Sequence, residues 1–144
     1  MENLNEYSKN KYNINAFPTS EITKIVLLGT GTPNSDPSCS GCSIVIIVND
    51  IPYILDFGPG LIRQASALST EYGGDIEALN CKNFKRAFLT HLHSDHTTGY
   101  PDLILTPWVL GRDEPLGVYG PEGTKEMTEN ILKAYREDIR YRLY

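Results

Sequence analysis

The segment LTHLHSDHTTG, residues 89–99, contains all three histidines of this 144-residue chain. His91, His93 and His96 fall within six positions of one another, and Asp95 lies among them. Imidazole nitrogens and carboxylate oxygens are common ligands of transition metals in proteins. Four such groups in one short segment therefore indicate a metal site rather than a chance cluster.

The spacing of these residues divides them into two pairs. In extended backbone, residues two apart point to the same side, so His91 and His93 are expected to approach one cation while Leu92 points into the core. Asp95 and His96 follow where the chain must turn, and they could face a second cation nearby. The residue types suit zinc, iron or manganese, and the spacing does not choose among these metals.

The sequence around the histidine segment predicts strands that alternate with helices. Short apolar, β-branched runs predict strands, and apolar residues at helical spacing predict helices. A final helix is expected to open with Thr124 as its N-cap. The alternation predicts an α/β layered architecture. The predicted strands are 24–29, 43–48, 53–57, 86–90 and 116–120, with a hairpin turn near Asn49 and Asp50, and helices are predicted at 61–69, within 100–110 and from 124 onwards.

The motif HLHSDH after a strand resembles the hallmark of the metallo-β-lactamase superfamily of hydrolases. The upstream segments KIVLLGTGTP and YILDFGPG are similar to the first strand and to the aspartate-ending strand of that superfamily. The resemblance covers about residues 22–125. Within the superfamily, HLHSDHTTGYPDL and PLGVYGPEGT resemble the ribonuclease Z group and its arylsulfatase-like relatives.

This resemblance implies a fold and a set of site residues. The fold would be α/β, as half of a four-layer αββα sandwich in which helices flank a β-sheet. His91 and His93 would hold one divalent metal ion, and Asp95 and His96 would hold a second. Zinc is the expected metal, with iron or manganese as alternatives. Asp95 would also be catalytic by orienting a shared hydroxide, and Asp56 would support the loop by hydrogen bonding.

The resemblance also implies the substrate class. Ribonuclease Z enzymes hydrolyse phosphodiesters, which makes RNA an expected partner, and the arylsulfatase-like relatives hydrolyse sulfate esters. Ribonuclease Z enzymes usually carry Cys-Gly-Glu-Gly-Thr after the upstream aspartate, whereas this chain has Phe57-Gly58-Pro59-Gly60-Leu61. Ser94 also stands where glycine is usual. Both ester classes therefore stay open.

Members of the superfamily complete the site with further histidines and a bridging aspartate after the motif, and no histidine follows His96 here. We therefore expect residues 22–144 to form the N-terminal part of the domain, completed by a C-terminal half or a dimer partner. The alternatives are a split hydrolase and an inactive half-domain that acts as a binding or regulatory module. A half-sandwich is also expected to expose an apolar sheet face.

Composition restricts the remaining function classes. The formal net charge is −5 and no long basic track is present, so nothing demands nucleic-acid binding through charge alone. Residues 1–21 lack periodicity and are expected to form a flexible N-terminal extension. The sequence shows neither a leader peptide nor a membrane span, which predicts a cytoplasmic protein without a membrane partner. Cys39 and Cys42 are interpreted as loop thiols rather than a redox pair.

Overall fold

The computed structural model describes residues 23–144, and the predicted N-terminal extension lies outside the described residues. One mixed five-stranded sheet, ordered β1-β2-β3-β4-β5, forms the centre of the fold. The strands are β1 (Lys24–Gly29), β2 (Ser43–Val48), β3 (Ile51–Leu55), β4 (Arg86–Phe88) and β5 (Gly117–Tyr119). The helices are α1 (Leu61–Leu68), α2 (Ser94–Thr97), α3 (Tyr100–Val109), α4 (Thr124–Ala134) and α5 (Arg136–Leu143), and three 3-10 turns lie between α1 and β4.

Strands β2 and β3 form the predicted hairpin. Its turn consists of Asn49 and Asp50, whose φ angles are 49° and 61°. Asparagine and aspartate accept this left-handed conformation more readily than other residues that carry a side chain, and a turn of this hand matches the twist of the two strands. The turn fixes the register in which Val48 pairs with Ile51.

The direction of strand pairing changes between β3 and β4. Strands β1, β2 and β3 pair antiparallel, whereas β3 pairs parallel with β4 and β4 pairs parallel with β5. Parallel neighbours need a crossover connection, and α1 with the 3-10 turns supplies it between β3 and β4. The carboxyl ends of β3, β4 and β5 consequently meet at one edge of the sheet.

One face of the sheet carries the core. Inward side chains of the strands pack under α1, α3 and the 3-10 turns, so that the apolar faces of these helices are removed from water. The fully buried members with the largest side chains are Tyr100, Phe57, Phe84, Ile47, Ile54, Leu61, Leu79, Leu103 and Val45. The α/β class predicted from alternating strands and helices is confirmed.

The opposite face of the sheet is mainly apolar and, within residues 23–144, carries several exposed apolar side chains, as expected for a half-sandwich. Ile25 and Leu27 on β1 are 67% and 54% exposed, and Tyr119 on β5 is 60% exposed. Aromatic rings continue the face across the sheet, because Phe88 stacks on Tyr119 with ring centroids 5.1 Å apart. We call this surface the outer face. One charged side chain, Arg86, lies on it over the Tyr53 ring. The apolar side chains of this face are those of Ile25, Leu27, Ile44, Ile46, Val48, Ile51, Tyr53, Leu55, Phe88 and Tyr119.

The C-terminal helical segment differs from its prediction in detail. Gly123, with a φ of 94°, takes the N-cap position, and Thr124 is the first residue of α4. The prediction of Thr124 as N-cap is therefore wrong by one residue, because its hydroxyl donates to the Pro121 carbonyl instead. The helix also breaks at Tyr135, and α5 begins at the next residue, Arg136. In residues 23–144, no helix is long and apolar enough to cross a membrane.

Candidate metal centre

The candidate site forms where two parallel strands end side by side. Asp56 follows β3 directly, and the histidine segment follows β4, which is the parallel neighbour of β3. Side chains from both connections therefore reach the same edge of the sheet, although 40 positions separate Asp56 from His96. Sites in α/β folds commonly lie at such strand ends.

Backbone contacts hold the two connections together. Phe57 donates its N–H to the His96 carbonyl at 2.7 Å, and Gly99 donates to the Phe57 carbonyl at 2.8 Å. Glycine permits this approach: a Cβ built on Gly58 would lie 2.7 Å from the Asp95 carbonyl oxygen, and one on Gly99 would lie 2.3 Å from the Gly58 oxygen. The histidine segment is thus packed backbone to backbone against the end of β3.

His91 and His93 converge as their spacing predicts. His91 Nε2 lies 3.1 Å from His93 Nδ1, and the ring centroids are 4.6 Å apart. Two nitrogens on one tetrahedral zinc, each bonded at about 2.0–2.1 Å, would stand about 3.3 Å apart. Leu92, between them, packs against the core as expected. The two imidazoles are therefore already close to the separation that a shared metal requires.

Asp95 and His96 form the second pair. Both lie on the short helix α2, and His96 Nε2 stands 3.5 Å from Asp95 Oδ2. The His96 side chain is 17% exposed and the Asp95 side chain is 13% exposed, so both are partly shielded from water. The His96 ring centroid is 4.1 Å from that of His91, which makes the two pairs neighbours in one cluster.

Asp56 lies behind this cluster and is 6% exposed. Its Oδ1 accepts a hydrogen bond from the Thr90 N–H at 2.8 Å, and its Oδ2 accepts one from His96 Nδ1 at 2.9 Å. The Thr90 hydroxyl lies 3.0 Å from each carboxylate oxygen. The bond to Nδ1 leaves His96 Nε2 free as a ligand atom, which is the usual arrangement behind a metal-bound histidine.

Asp56 adopts a left-handed backbone conformation with a φ of 60°. Aspartate is one of the few non-glycine residues that occupy this region with some frequency, although it remains strained there. The hydrogen bonds to Thr90 and His96 hold it in place. The family resemblance identified Asp56, whereas Thr90 was missed; its position directly before His91 was the available signal.

Cys42 is a third donor beside the site. Ligand atoms of Cys42, Asp56 and His96 all lie within 4.8 Å of one another. The metal-binding form of cysteine is the thiolate, and burial raises the pKa of the Cys42 thiol, with the Asp56 and Asp95 carboxylates raising it further. Because hydrogen bonds already occupy both Asp56 oxygens, we interpret Cys42 as a neighbour behind His96 and not as the centre of a separate metal site.

The later carboxylates that could bridge two metals are engaged elsewhere. Three aspartates follow the histidine segment in the sequence, and each forms an ion pair with a basic side chain away from that segment. The pairs are Asp102 with Arg63, Asp113 with Lys85, and Asp138 with Arg142. Within residues 23–144, the donors that converge on the cluster are therefore those of the histidine segment, with Asp56 and Cys42 behind it.

A cleft of about 490 Å³ opens beside Asp95. Hydroxyl and amide groups supply much of its polar surface, and in the part of the chain described here its lining includes no lysine or arginine. A second cavity of about 600 Å³, between α3 and α4, is mainly apolar and does not touch the cluster. The cleft is lined by Thr32, Pro33, Asn34, Ser35, Asp36, Pro37, Cys39, Ser40, Gly41, Pro59, Gly60, Ser94, Asp95 and Thr98.

The sequence is similar to curated ribonuclease Z proteins. It is 36% identical over 125 residues to ribonuclease Z from Mycobacterium bovis (strain BCG / Pasteur 1173P2), a match that covers 85% of this chain and 41% of that protein. Over most of its length, the chain is therefore homologous to part of ribonuclease Z. A second relative, ribonuclease Z from Pyrococcus horikoshii, is 33% identical over 113 residues, which is 78% of this chain and 34% of the relative. No family model matches the sequence.

Solved structures confirm the metallo-β-lactamase fold of this ribonuclease Z homologue. The short form of human tRNase Z superposes with a TM-score of 0.66 at 24% identity, covering 78% of this chain and 39% of that chain. A metallo-beta-lactamase fold protein from Bacillus subtilis gives a TM-score of 0.59 at 16% identity, covering 76% and 41%. The chain thus spans well under half the length of these relatives.

Proposed function

We propose that this chain supplies one part of the active site of a metal-dependent hydrolase that cleaves phosphodiester bonds in RNA. The observation that carries the proposal is the 3.1 Å approach of His91 Nε2 to His93 Nδ1 beside the Asp95–His96 pair. This donor set fits divalent zinc in both ligand type and separation. The similarity to ribonuclease Z proteins supports RNA as the substrate class.

Each residue of the cluster has a proposed role. His91 and His93 would hold one metal ion, and Asp95 and His96 a second. Metal ions bound there would supply Lewis-acid chemistry and a water of lowered pKa. Asp95 also lines the cleft, so its carboxylate is placed to orient a water nucleophile toward a bound ester by accepting its hydrogen bond. Asp56 keeps His96 in the orientation that presents Nε2.

We further propose that residues outside residues 23–144 complete the ligand set. A catalytic zinc normally takes three protein ligands besides its open position, so two such ions need more donors than the four of the histidine segment. The outer face supports this proposal, because a contiguous exposed apolar surface on a protein typically marks an interaction site. A C-terminal half of the fold or a partner chain would both cover that face and bring the missing ligands.

Zinc binding and ester hydrolysis test the proposed function together. The purified chain is dialysed against zinc, and its metal content is measured by mass spectrometry. Hydrolysis of bis(p-nitrophenyl) phosphate and of p-nitrophenyl sulfate is then followed. Each assay is run with and without the part of the Mycobacterium bovis relative that this chain does not match. We expect zinc uptake by the chain alone and phosphodiester cleavage only in the mixture. Sulfatase activity alone would assign the arylsulfatase-like class.

Two other outcomes would count against the proposal. Absence of zinc uptake would remove the metal-site assignment. Zinc uptake without hydrolysis of either ester in the mixture would favour a half-domain with a binding or regulatory role over an enzyme.

The outer face makes the isolated chain prone to self-association. We expect Ile25→Glu to lower the association measured by sedimentation velocity, because the substitution places a charge within the apolar outer face, on its exposed edge strand β1. Tyr72→Glu is the matched control, since Tyr72 is 69% exposed and Ile25 67% but Tyr72 lies on a 3-10 turn away from the sheet. If the unmodified chain sediments as a compact monomer, the proposed role of the outer face is wrong.

A further inference from the structure

Thr90 occupies a position that links three groups of the site. Its hydroxyl oxygen lies 3.0 Å from both Asp56 carboxylate oxygens and 2.9 Å from His91 Nδ1. Its backbone N–H donates to Asp56 Oδ1 at 2.8 Å, which fixes the threonine relative to the carboxylate. Thr90 therefore stands between a buried carboxylate and the first histidine of the segment.

Counting protons assigns the direction of each bond. A carboxylate only accepts hydrogen bonds, and a threonine hydroxyl has one proton to donate and lone pairs to accept with. The Thr90 proton therefore points to Asp56, and the Thr90 oxygen accepts from His91 Nδ1–H. With its proton on Nδ1, His91 keeps the Nε2 lone pair free, and Nε2 is the atom that approaches His93.

We propose that Thr90 is a positioning residue that relays the Asp56 carboxylate to His91 and so holds the His91 proton on Nδ1. One carboxylate then sets the tautomers of two imidazoles, His96 by direct contact and His91 through the hydroxyl. Both rings then present Nε2 to the cluster of histidine-segment side chains. The tautomer is a property of the metal-free chain and does not depend on the proposed function. Only the step in which Nε2 binds a metal rests on that function.

Two substitutions separate the hydroxyl from the shape of the side chain. Thr90→Val keeps the β-branched shape and removes the relay, whereas Thr90→Ser keeps the hydroxyl and removes only a methyl group. Thr90 is exposed at the surface of the site, so neither change creates a cavity in the core. A purely structural role of Thr90 would make the valine variant at least as well tolerated as the serine variant.

The test reads the tautomers directly by long-range ¹H–¹⁵N correlation spectra of chelator-treated, ¹⁵N-histidine-labelled protein. The spectra are recorded across a series of pH values on the alkaline side of neutrality, and the tautomers are read from the plateau at which the histidine signals no longer change with pH. With three histidines in the chain, the signals can be assigned from single His→Ala variants. We expect the Nδ1–H form of His91 in the unmodified chain and in Thr90→Ser, and a shift toward the Nε2–H form in Thr90→Val.

Zinc affinity provides the second readout. We expect Thr90→Val to bind zinc about 10–100-fold more weakly, as is usual when an outer partner of a ligand is lost, and Thr90→Ser to bind close to the unmodified chain. An unchanged His91 tautomer in Thr90→Val would overturn the relay. A changed tautomer with unchanged zinc affinity would overturn its role toward the metal, whereas failure of the unmodified chain to bind zinc would count against the proposed function alone.

Discussion

His93→Ala should lose the zinc ion proposed to bind between His91 and His93. We expect the affinity of that position to fall by more than about 100-fold, which is the upper end of the loss seen when only an outer partner is removed. The imidazole of His93 supplies one of the two nitrogens that stand 3.1 Å apart, and His91 alone cannot chelate. The backbone of His93 remains, so its carbonyl still accepts from the His96 N–H and from the Thr97 hydroxyl. Equilibrium dialysis against a competing chelator measures the change.

Ser94→Ala is the matched control for this substitution. Ser94 is adjacent to His93 and, like His93, is exposed. Its substitution by alanine leaves every ring of the cluster in place. Helical content by circular dichroism should be the same in both variants. Zinc content in His93→Ala equal to that of the unmodified chain would show that the metal, if bound, lies elsewhere.

Asp56→Ala should weaken both metal binding and the fold. The Thr90 N–H and the His96 Nδ1–H lose their acceptor, and a donor left without a partner costs about 1–3 kcal/mol. We expect a lower free energy of unfolding in urea for the chelator-treated chain. Zinc affinity should fall about 10–100-fold, because His96 is no longer held with Nε2 toward the metal.

Asp50→Ala controls for the backbone. Asp50 has a φ of 61° and Asp56 a φ of 60°, so both alanine variants carry the same strain in the left-handed region. Asp50 lies in the exposed β2–β3 turn, away from the site. The difference between the losses in free energy of unfolding of the two variants therefore measures the contribution of the Asp56 hydrogen bonds. Equal losses would show that backbone strain accounts for the whole effect.

Local patterns in the sequence predicted the parts of this fold that depend on neighbours along the chain. The strands at 24–29 and 43–48, the turn at Asn49 and Asp50, and the helix that starts at Leu61 are confirmed because alternation, turn chemistry and helical spacing act over a few residues. The position of the N-cap at Gly123 was missed, because a glycine that enters a helix with positive φ leaves no side-chain signal.

The candidate site was predictable only in part, because some of its contacts follow from local spacing and others depend on residues far apart in the sequence. The convergence of His91 with His93 follows from a spacing of two residues, and resemblance to a known family supplied Asp56. The contact between Thr90 and Asp56 depends on the parallel pairing of β3 with β4, which is a long-range property. The approach of Cys42 to His96 likewise depends on how the segment before β2 folds back on the site, and no local pattern predicts it.

The backbone bonds that join Phe57 to His96 and Gly99 determine what metal binding costs. Fixing one residue of a mobile loop consumes about 1–2 kcal/mol of conformational entropy, and a histidine segment ordered only by its cation would subtract that amount for each residue from the binding free energy. Here folding of the sheet has already ordered the segment. The free energy of the ligand bonds is thus available for affinity, and metal uptake should proceed with little change in the structure of the chain.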